Sequence, residues 1–554
     1  MSSSNDSTKA SDANKKVSRR TALKVVGGAV VVGAAAVLGG YYSGAFKAGP
    51  TATTATASVT SSIKPGGTLT MAIDSDIVRL DPHASSAAVD RVVYQSLYGH
   101  FLDLNLNSEV IPAIAQSWTQ PDSVSYVFTL RDGVKFHDGT PLDADAVKFN
   151  FDRMMGLLDA KLLPTPNNRK SEISSIDKVT VVDSKTVKMA LKQPFAPILS
   201  VLTDRAGMLV SPTALQKDPQ GFVKNPIGAG PFKFVEWISG DHVTLNRFEN
   251  YYEPGLPYLD TVIIKPITDG STRLLAVESG TVDFIRFFND SDINKVKSDV
   301  ASGKFGYVVN SSYGFQGFEM NTMKAPFDNK SARQAVHYAI DVQQFIDTVT
   351  FGVEQAINGP ITQAHGAYFE TAFKPFDKWP HGDPDLAKQA LQQAGMPNGF
   401  SFDFKTVSNP LNRQIAELFQ SQLAAVGIKM NIVQEDFTRL LTDSENHDFQ
   451  AAAIGWSGRP DPDQNVYVWF HSTGSFNDAR YSNPTVDSLL DQARSSTSTS
   501  DRVKLYQQAV RLIVSDAPYQ FTTAFPNSFD WNSTVKEFSP IPDGMVRTTR
   551  MYKG

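Results

Sequence analysis

An α/β fold of at least two lobes is predicted by the length of the chain, its composition and one strand, helix and strand unit. At 554 residues with 41% hydrophobic content, the chain exceeds the ~250 to 300 residues at which a single core stops growing. Charged residues make up 20% and aromatics 10%, and past residue 65 no stretch has the composition of a disordered chain, so the body is expected to fold throughout. Phe400, Phe402 and Phe404 alternate as a strand. Ile415, Leu418, Phe419 and Leu423 then make a helical face ending at Gly427, and Ile428, Met430 and Ile432 alternate again. Such a unit implies a parallel sheet covered by helices.

The elements follow in chain order. After Pro65-Gly66-Gly67, the segment Thr68 to Ile73 reads as a strand, Leu80-Asp81-Pro82-His83 as a turn, and a helix starts near Ala87. Tyr126 to Leu130 is a strand, broken at Asp132-Gly133, continued by Val134 to Phe136 and broken again at Asp138-Gly139; the two turns predict a hairpin. Asp143 stands as an N-cap before Val147, Phe151, Met154, Met155 and Leu158 at helical spacing, a stripe read as core rather than a cofactor site. Asp383 and Pro384 open another helix, with Leu386, Ala387, Ala390, Leu391 and Ala394 on one face and Gly395 at its end. Towards the C-terminus, helical faces recur at Val486, Leu489, Leu490 and Ala493, and at Val503, Tyr506, Val510 and Ile513. No internal repeat is evident.

The N-terminus reads as an address. Lys15 and Lys16 lead into Ser18-Arg19-Arg20-Thr21-Ala22-Leu23-Lys24, followed by an apolar stretch rich in Val, Ala and Gly from Val25 to Leu38. This order predicts a twin-arginine export signal, with Ala22 departing from the bulkier residue usual there. Extended through Tyr41 to Phe46, the same stretch approaches the ~20 residues of a membrane span. A cleaved signal, with Ala55-Thr56-Ala57 as the small-residue site, and an uncleaved anchor on a Thr/Ser-rich stalk are both open; either delivers the body outside the cytoplasm.

Composition excludes several function classes. The chain has no cysteine, which removes disulfides, zinc–thiolate sites, iron–sulfur clusters, thiol nucleophiles and lipid attachment through an N-terminal Cys. Formal net charge is −5; residues 1 to 57 hold seven basic side chains against Asp6 and Asp12, so removing that excess of five positive charges leaves −10 on the rest. An acidic body is a poor nucleic-acid binder. No G-x-S-x-G elbow, H-E-x-x-H helix or Walker loop occurs, and the nine histidines, His137 and His242 among them, are scattered. No catalytic residue, metal site or cofactor is therefore expected. Asp81, Asp461 and Asp463 are read as structural turn carboxylates.

Several ordered segments together resemble the family 5 extracellular solute-binding proteins, the dipeptide, oligopeptide and nickel receptors of ABC importers. They are Gly66-Gly67-Thr68-Leu69, Leu80-Asp81-Pro82-His83, the run Leu130 to Pro141, and Asn225 to Phe232 with its Gly228-Ala229-Gly230-Pro231. Ser271 to Leu274 before Glu278-Ser279-Gly280, Pro326-Phe327-Asp328 before Arg333-Gln334-Ala335, Gly455 to Arg459 before Asp461-Pro462-Asp463, and Tyr481 to Pro484 continue the series. The likeness spans roughly residues 65 to 545.

The resemblance implies a periplasmic-binding-protein-like fold of two lobes with mixed sheets, plus an extra domain packed on lobe I. It divides the chain into a signal or anchor and linker (1–64), lobe I (65–88, 226–322 and 521–554), domain II (89–225) and lobe III (323–520). Hinge crossings are expected near Met320 to Ala325 and Thr522 to Pro526. It also implies a monomeric receptor in the periplasm or on the outer membrane face that hands a small solute to a permease and ATPase complex. The competing classes are a secreted hydrolase of peptides or glycans and a surface sensor or chaperone on the same fold. The expected ligand-binding set is Asn409, Trp456, Ser457, Arg459 and Asp461. In the peptide-binding members, the third residue after the Trp is an acid that holds the peptide amine; here it is Arg459. A guanidinium repels an ammonium and offers paired N–H donors to a carboxylate or phosphate, so an anionic solute is expected. The competing role for Arg459 is an ion pair with Asp461 or Asp463.

Overall fold

The computed structural model describes residues 63–554; Arg19, Arg20 and the rest of the expected export signal lie outside the described residues. One mixed sheet of 11 strands runs through the body. From one edge it comprises Phe232–Ile238, His242–Arg247, Thr261–Pro266, Thr68–Ile73 and Phe284–Arg286. Two long strands, Tyr519–Asn532 and Phe305–Met320, come next, followed by Ala451–Ala452, Ser401–Val407 and Lys429–Glu435, with Gln355–Ala356 paired to the side of Tyr519–Asn532. Thr68–Ile73 pairs in parallel with neighbours on both sides, and Leu69, Met71, Ala72 and Ile73 are all buried, the unalternating pattern of a strand covered on both faces.

The two long strands form an antiparallel spine from Phe305 opposite Asn532 to Glu319 opposite Tyr519. Their ladder is irregular between Ser311 and Phe315 and between Phe315 and Gly317. A Cβ on Gly317 would lie 1.8 Å from the Gln520 carbonyl oxygen, so the strands approach there only because that side chain is missing. Four large apolar clusters flank this frame. One, around Phe101, Phe128, Phe151 and Phe195, belongs to a separate four-stranded antiparallel sheet of Ala115–Asp122, Ser125–Leu130, Thr186–Leu191 and Ile176–Asp183. A second lies under the Thr68–Ile73 side, and two more, around Phe402 and around Tyr506, lie on the Ser401–Val407 side.

Local chemistry explains the helices. The Asp143 carboxylate accepts from Ala146 N at the start of Ala144–Met155, and Gly156 closes it with φ 82°. Asp383 accepts from the N–H groups of Asp385 and Leu386 before Pro384–Gln393. Ser401–Val407 and Lys429–Glu435 pair in parallel around the helix Pro410–Ala424, so the expected crossover unit is formed.

One element differs from the sequence reading. Ser125–Leu130 does not pair with Val134 to Phe136; its partners are Ala115–Asp122 and Thr186–Leu191. Asp138-Gly139 instead closes a small loop of its own, with Phe136 N bonded to Thr140 O and Leu142 N to Val134 O. Turn residues mark where a chain reverses; they do not choose which strand it joins. Among the described residues no helix is long and apolar enough to cross a membrane.

Candidate functional site

The site is built on the turn that follows Ala451–Ala452. Trp456 and Phe315 exchange both backbone hydrogen bonds, each 2.9 Å, which lays the turn against the spine strand. Gly458 makes this possible: its φ is 71°, and a Cβ on it would lie 2.1 Å from the Tyr313 carbonyl carbon. Asn465, fully buried, pins the turn from below. Its Oδ1 accepts from Trp456 Nε1 (3.1 Å) and Arg459 N (3.0 Å), and its Nδ2 donates to the carbonyls of Tyr313 (2.7 Å) and Pro360 (3.1 Å). All four capacities of the amide are filled.

Trp456 packs on Phe476 and Trp469, and the Arg459 guanidinium carbon lies 5.0 Å from the Trp456 ring centroid. Arg459 is only 4% exposed. Its Nη1 donates to the Gly458 carbonyl and to Ser457 Oγ, and its own carbonyl accepts from His365 Nε2 at 3.0 Å. Burial holds His365 neutral, with a pKa of about 4. Because its Nδ1 accepts from Thr362 N, the ring proton sits on Nε2.

The ion-pair partner of Arg459 is Asp204, at 3.1 Å from Nε to Oδ2. Asp204 precedes the 3-10 turn Arg205–Gly207, and its other oxygen accepts from Arg91 Nε at 3.0 Å. Burial alone would push the Asp204 carboxyl up; Arg91, Arg459, Arg205 and Arg169 together hold it far below the ordinary range. Burial also brings Arg459 down to about 10, against the pull of Asp204.

The other expected residues divide. Asp461 is held by both Nη atoms of Arg502 (2.6 and 3.0 Å), and Asp463 by Arg494 (2.8 and 2.9 Å), so neither aspartate pairs with Arg459. Asp81 forms a buried bidentate pair with Arg153. Ser457 is exposed beside the Arg459 guanidinium. Asn409 is exposed and accepts from Asn412 N as the N-cap of Pro410–Ala424; among the described residues it makes no hydrogen bond to the Trp456–Arg459 turn. Sequence reasoning missed Asp204, Arg91, Arg205, Arg169 and Asn465, which no local motif ties to the turn. Around the same site, Ala196 N donates to the Arg494 carbonyl (2.9 Å) and the Arg494 guanidinium lies 5.1 Å from the Phe195 ring centroid, so the segment leading to Asp204 touches the helix Pro484–Ser495.

Among the described residues no group of three or more His, Asp or Glu side chains is placed to hold a metal ion. What the arrangement offers is a rigid aromatic face, buried guanidiniums and backbone carbonyls, which suit recognition.

Comparison with known proteins agrees with this. Residues 109–477 match the family model of the bacterial extracellular solute-binding proteins, family 5. The chain is 30% identical over 469 residues to the glutathione-binding protein GsiB of Pectobacterium atrosepticum, covering 81% of this chain and 87% of that one. Among solved structures it is similar to the ABC transporter-associated periplasmic binding protein DppA of Helicobacter pylori, in complex with the peptide STSA, with TM-score 0.79, 26% identity and coverage of 88% and 98%. It is also similar to the binding protein AgaA of A. tumefaciens R10, in complex with agropinic acid, with TM-score 0.75, 26% identity and coverage of 88% and 99%. The chain belongs to the bacterial extracellular solute-binding proteins of family 5, the substrate-binding components of ABC importers.

Proposed function

We propose that this receptor works outside the cytoplasmic membrane, captures a small acidic organic solute between its lobes and delivers it to a permease without chemical change. The observation that carries the ligand class is Arg459, a buried guanidinium on an aromatic face where a carboxylate would be needed to hold a peptide amine. Relatives that bind glutathione and agropinic acid support an acidic solute. The lobe division at 65–88, 226–322 and 521–554 against 323–520, with 89–225 packed on the first, is supported in part by the apolar clusters. The one around Phe128 lies almost wholly within 89–225 and the one around Phe402 almost wholly within 323–520, while the one under Thr68–Ile73 also takes Val92, Tyr94, Leu97 and Phe222 from 89–225. The irregular stretch of the spine at Ser311 to Gly317, facing Phe521 to Pro526, supports a hinge a few residues ahead of Met320.

Calorimetry and small-angle scattering with glutathione and agropinic acid test the reading. An acidic solute that binds is expected to shrink the radius of gyration and to stabilise the fold by ~2.7 kcal/mol at a hundred times its dissociation constant. Product release from peptide or glycan substrates would favour a hydrolase, and tight binding of an amine-bearing neutral peptide in preference to acids would overturn the ligand class.

A further inference from the structure

We infer that the cluster around Asp204 takes a solute carrying two acidic groups, one at Arg459 and the second at Arg169 and Arg205; this rests on the receptor reading above. Four guanidiniums meet here. Arg91, Arg169, Arg205 and Arg459 are 3%, 3%, 2% and 4% exposed, and they come from the helix Asp90–Leu97, the loop after Ala144–Met155, the 3-10 turn Arg205–Gly207 and the turn after Ala451–Ala452. Asp204 is shared between Arg91 and Arg459, and Glu172 is taken by Arg169.

The third nearby acid, Asp90, is fully buried and spends its hydrogen bonds away from the guanidiniums. It accepts from Ser85 Oγ (2.6 Å), Val78 N (2.6 Å) and Arg79 N (3.2 Å). Burial raises its pKa, against those hydrogen bonds and the attraction of Arg205. Asp204, Glu172 and Asp90 therefore stand against four guanidiniums, which leaves the cations in excess.

The excess sits on the Arg169 and Arg205 side. Arg205 Nη1 donates to the carbonyls of Ser85 (3.1 Å) and Ala87 (3.2 Å), and Arg169 Nη2 donates to the same Ser85 carbonyl (2.9 Å). The Nε–H of each is buried with no acceptor. A buried donor without an acceptor is costly, and more so on a charged group, while two adjacent guanidiniums repel in a medium of low dielectric. Burial, Arg169 and Arg459 bring Arg205 down to about 9, against the pull of Asp204. One anionic group at Arg459 would leave this second pair of donors unanswered. A second carboxylate or phosphate supplies both the acceptors and the missing charge, and the planar guanidinium fork suits either.

The test is calorimetric titration of the ligand-free protein, stripped in urea and refolded, with sodium pyrophosphate at pH 7.5, against inorganic phosphate and chloride at matched ionic strength. Saturable pyrophosphate binding is expected, at least tenfold weaker in Arg205→Gln and in Arg169→Gln and unchanged in Arg413→Gln, whose side chain is exposed and pairs with Glu417. Arg205→Lys, which keeps the charge and loses the fork, covers the case in which the Gln variants do not fold, and is expected to weaken binding too. Absence of saturable binding, or binding that survives at Arg205 and Arg169, overturns the inference. If only Arg459→Ala abolishes binding, the site answers a single acidic group: the acidic-solute reading stands and the second subsite falls. Accurate-mass identification of solute carried through purification separates a phosphate compound from a dicarboxylate, and a monoacidic or neutral solute overturns the inference directly.

Discussion

Arg459 and Asp204 are joined by a buried ion pair, 3.1 Å from Nε to Oδ2, that ties the Trp456 turn to the segment carrying Arg205. The pair is one edge of a larger cluster, because Asp204 also holds Arg91 at 3.0 Å. Removing the shared carboxylate therefore strands several cations at once. Asp204→Asn is expected to cost about 3 to 5 kcal/mol of stability in the ligand-free protein, the range for breaking a buried ion pair. Urea unfolding checks this; an unchanged midpoint would mean that the guanidiniums are solvated without it.

Arg459→Ala also breaks the pair with Asp204, but Arg91 still neutralises that carboxylate, so its stability cost should be smaller than that of Asp204→Asn and its main effect should fall on binding. Hydrogen bonds to a charged group contribute about 1.5 to 3 kcal/mol, so affinity for an acidic solute should fall roughly 10- to 150-fold while the fold survives. Arg459→Asp should be worse for an anion. Calorimetry with the identified solute decides: equal affinity in wild type and Arg459→Ala confines this side chain to its contact with Asp204.

Asn465 should matter as much to the site as any residue that meets solute. Asn465→Ala strips partners from the N–H of Arg459, the indole of Trp456 and two carbonyls, all on the turn or beneath it. Each unsatisfied buried group costs about 1 to 3 kcal/mol. A marginally folded variant with lost solute affinity and changed Trp456 fluorescence is expected; unaltered affinity would show that the turn holds its shape through the Phe315 pairing alone.

Much of the frame was readable because its causes are local. Asp143 and Asp383 cap the helices they precede, and the alternation of Phe402 and Phe404 with Met430 marks two parallel strands, since side-chain spacing and capping act within a few residues. The Trp456 and Arg459 turn was recognisable as a motif. The partner of Arg459 was not: Asp461 and Asp463 stand beside it in sequence, yet Arg502 and Arg494, projecting from the C-terminal helices, reach them first. Asp204 arrives only once the chain has folded. The same limit explains Ser125–Leu130, whose turns were visible while its partner strands lay elsewhere along the chain.

Export is expected to depend on Arg19 and Arg20, which precede the apolar stretch from Val25 to Leu38. Replacing both with Lys keeps the charge and removes the paired guanidiniums. Precursor should then accumulate in the cytoplasm on fractionation, and export at the wild-type level would refute the twin-arginine reading.

The last expectation concerns pH, through Glu319. This side chain is 1% exposed, bonds Ser444 Oγ, and lies one hydroxyl away from Asp478, to which Ser444 donates at 3.0 Å. Ser444 has one proton to give, so two ionised carboxylates cannot both receive it; a neutral Glu319 donates to Ser444 and completes the chain. Burial, reinforced by the Asp478 charge, accordingly pushes Glu319 up to about 8. The folded form thus binds a proton more tightly than the unfolded chain, whose glutamate titrates near 4.5. The stability Glu319 contributes is fully present below about pH 4.5 and is lost as pH rises through about 8, at up to about 1.4 kcal/mol per pH unit. Glu354, Asp290 and Asp530 are also raised by burial and act in the same direction, whereas His83, His137 and His365 are lowered and act oppositely. The overall slope is therefore a composite, and the difference between wild type and Glu319→Gln reports Glu319 together with Asp478, which shares Ser444 and is also raised by burial. The amide donates to Ser444 without titrating, so the variant should gain on wild type between pH 5 and 8 in urea unfolding. Parallel stability curves over that interval would place the Glu319 proton elsewhere.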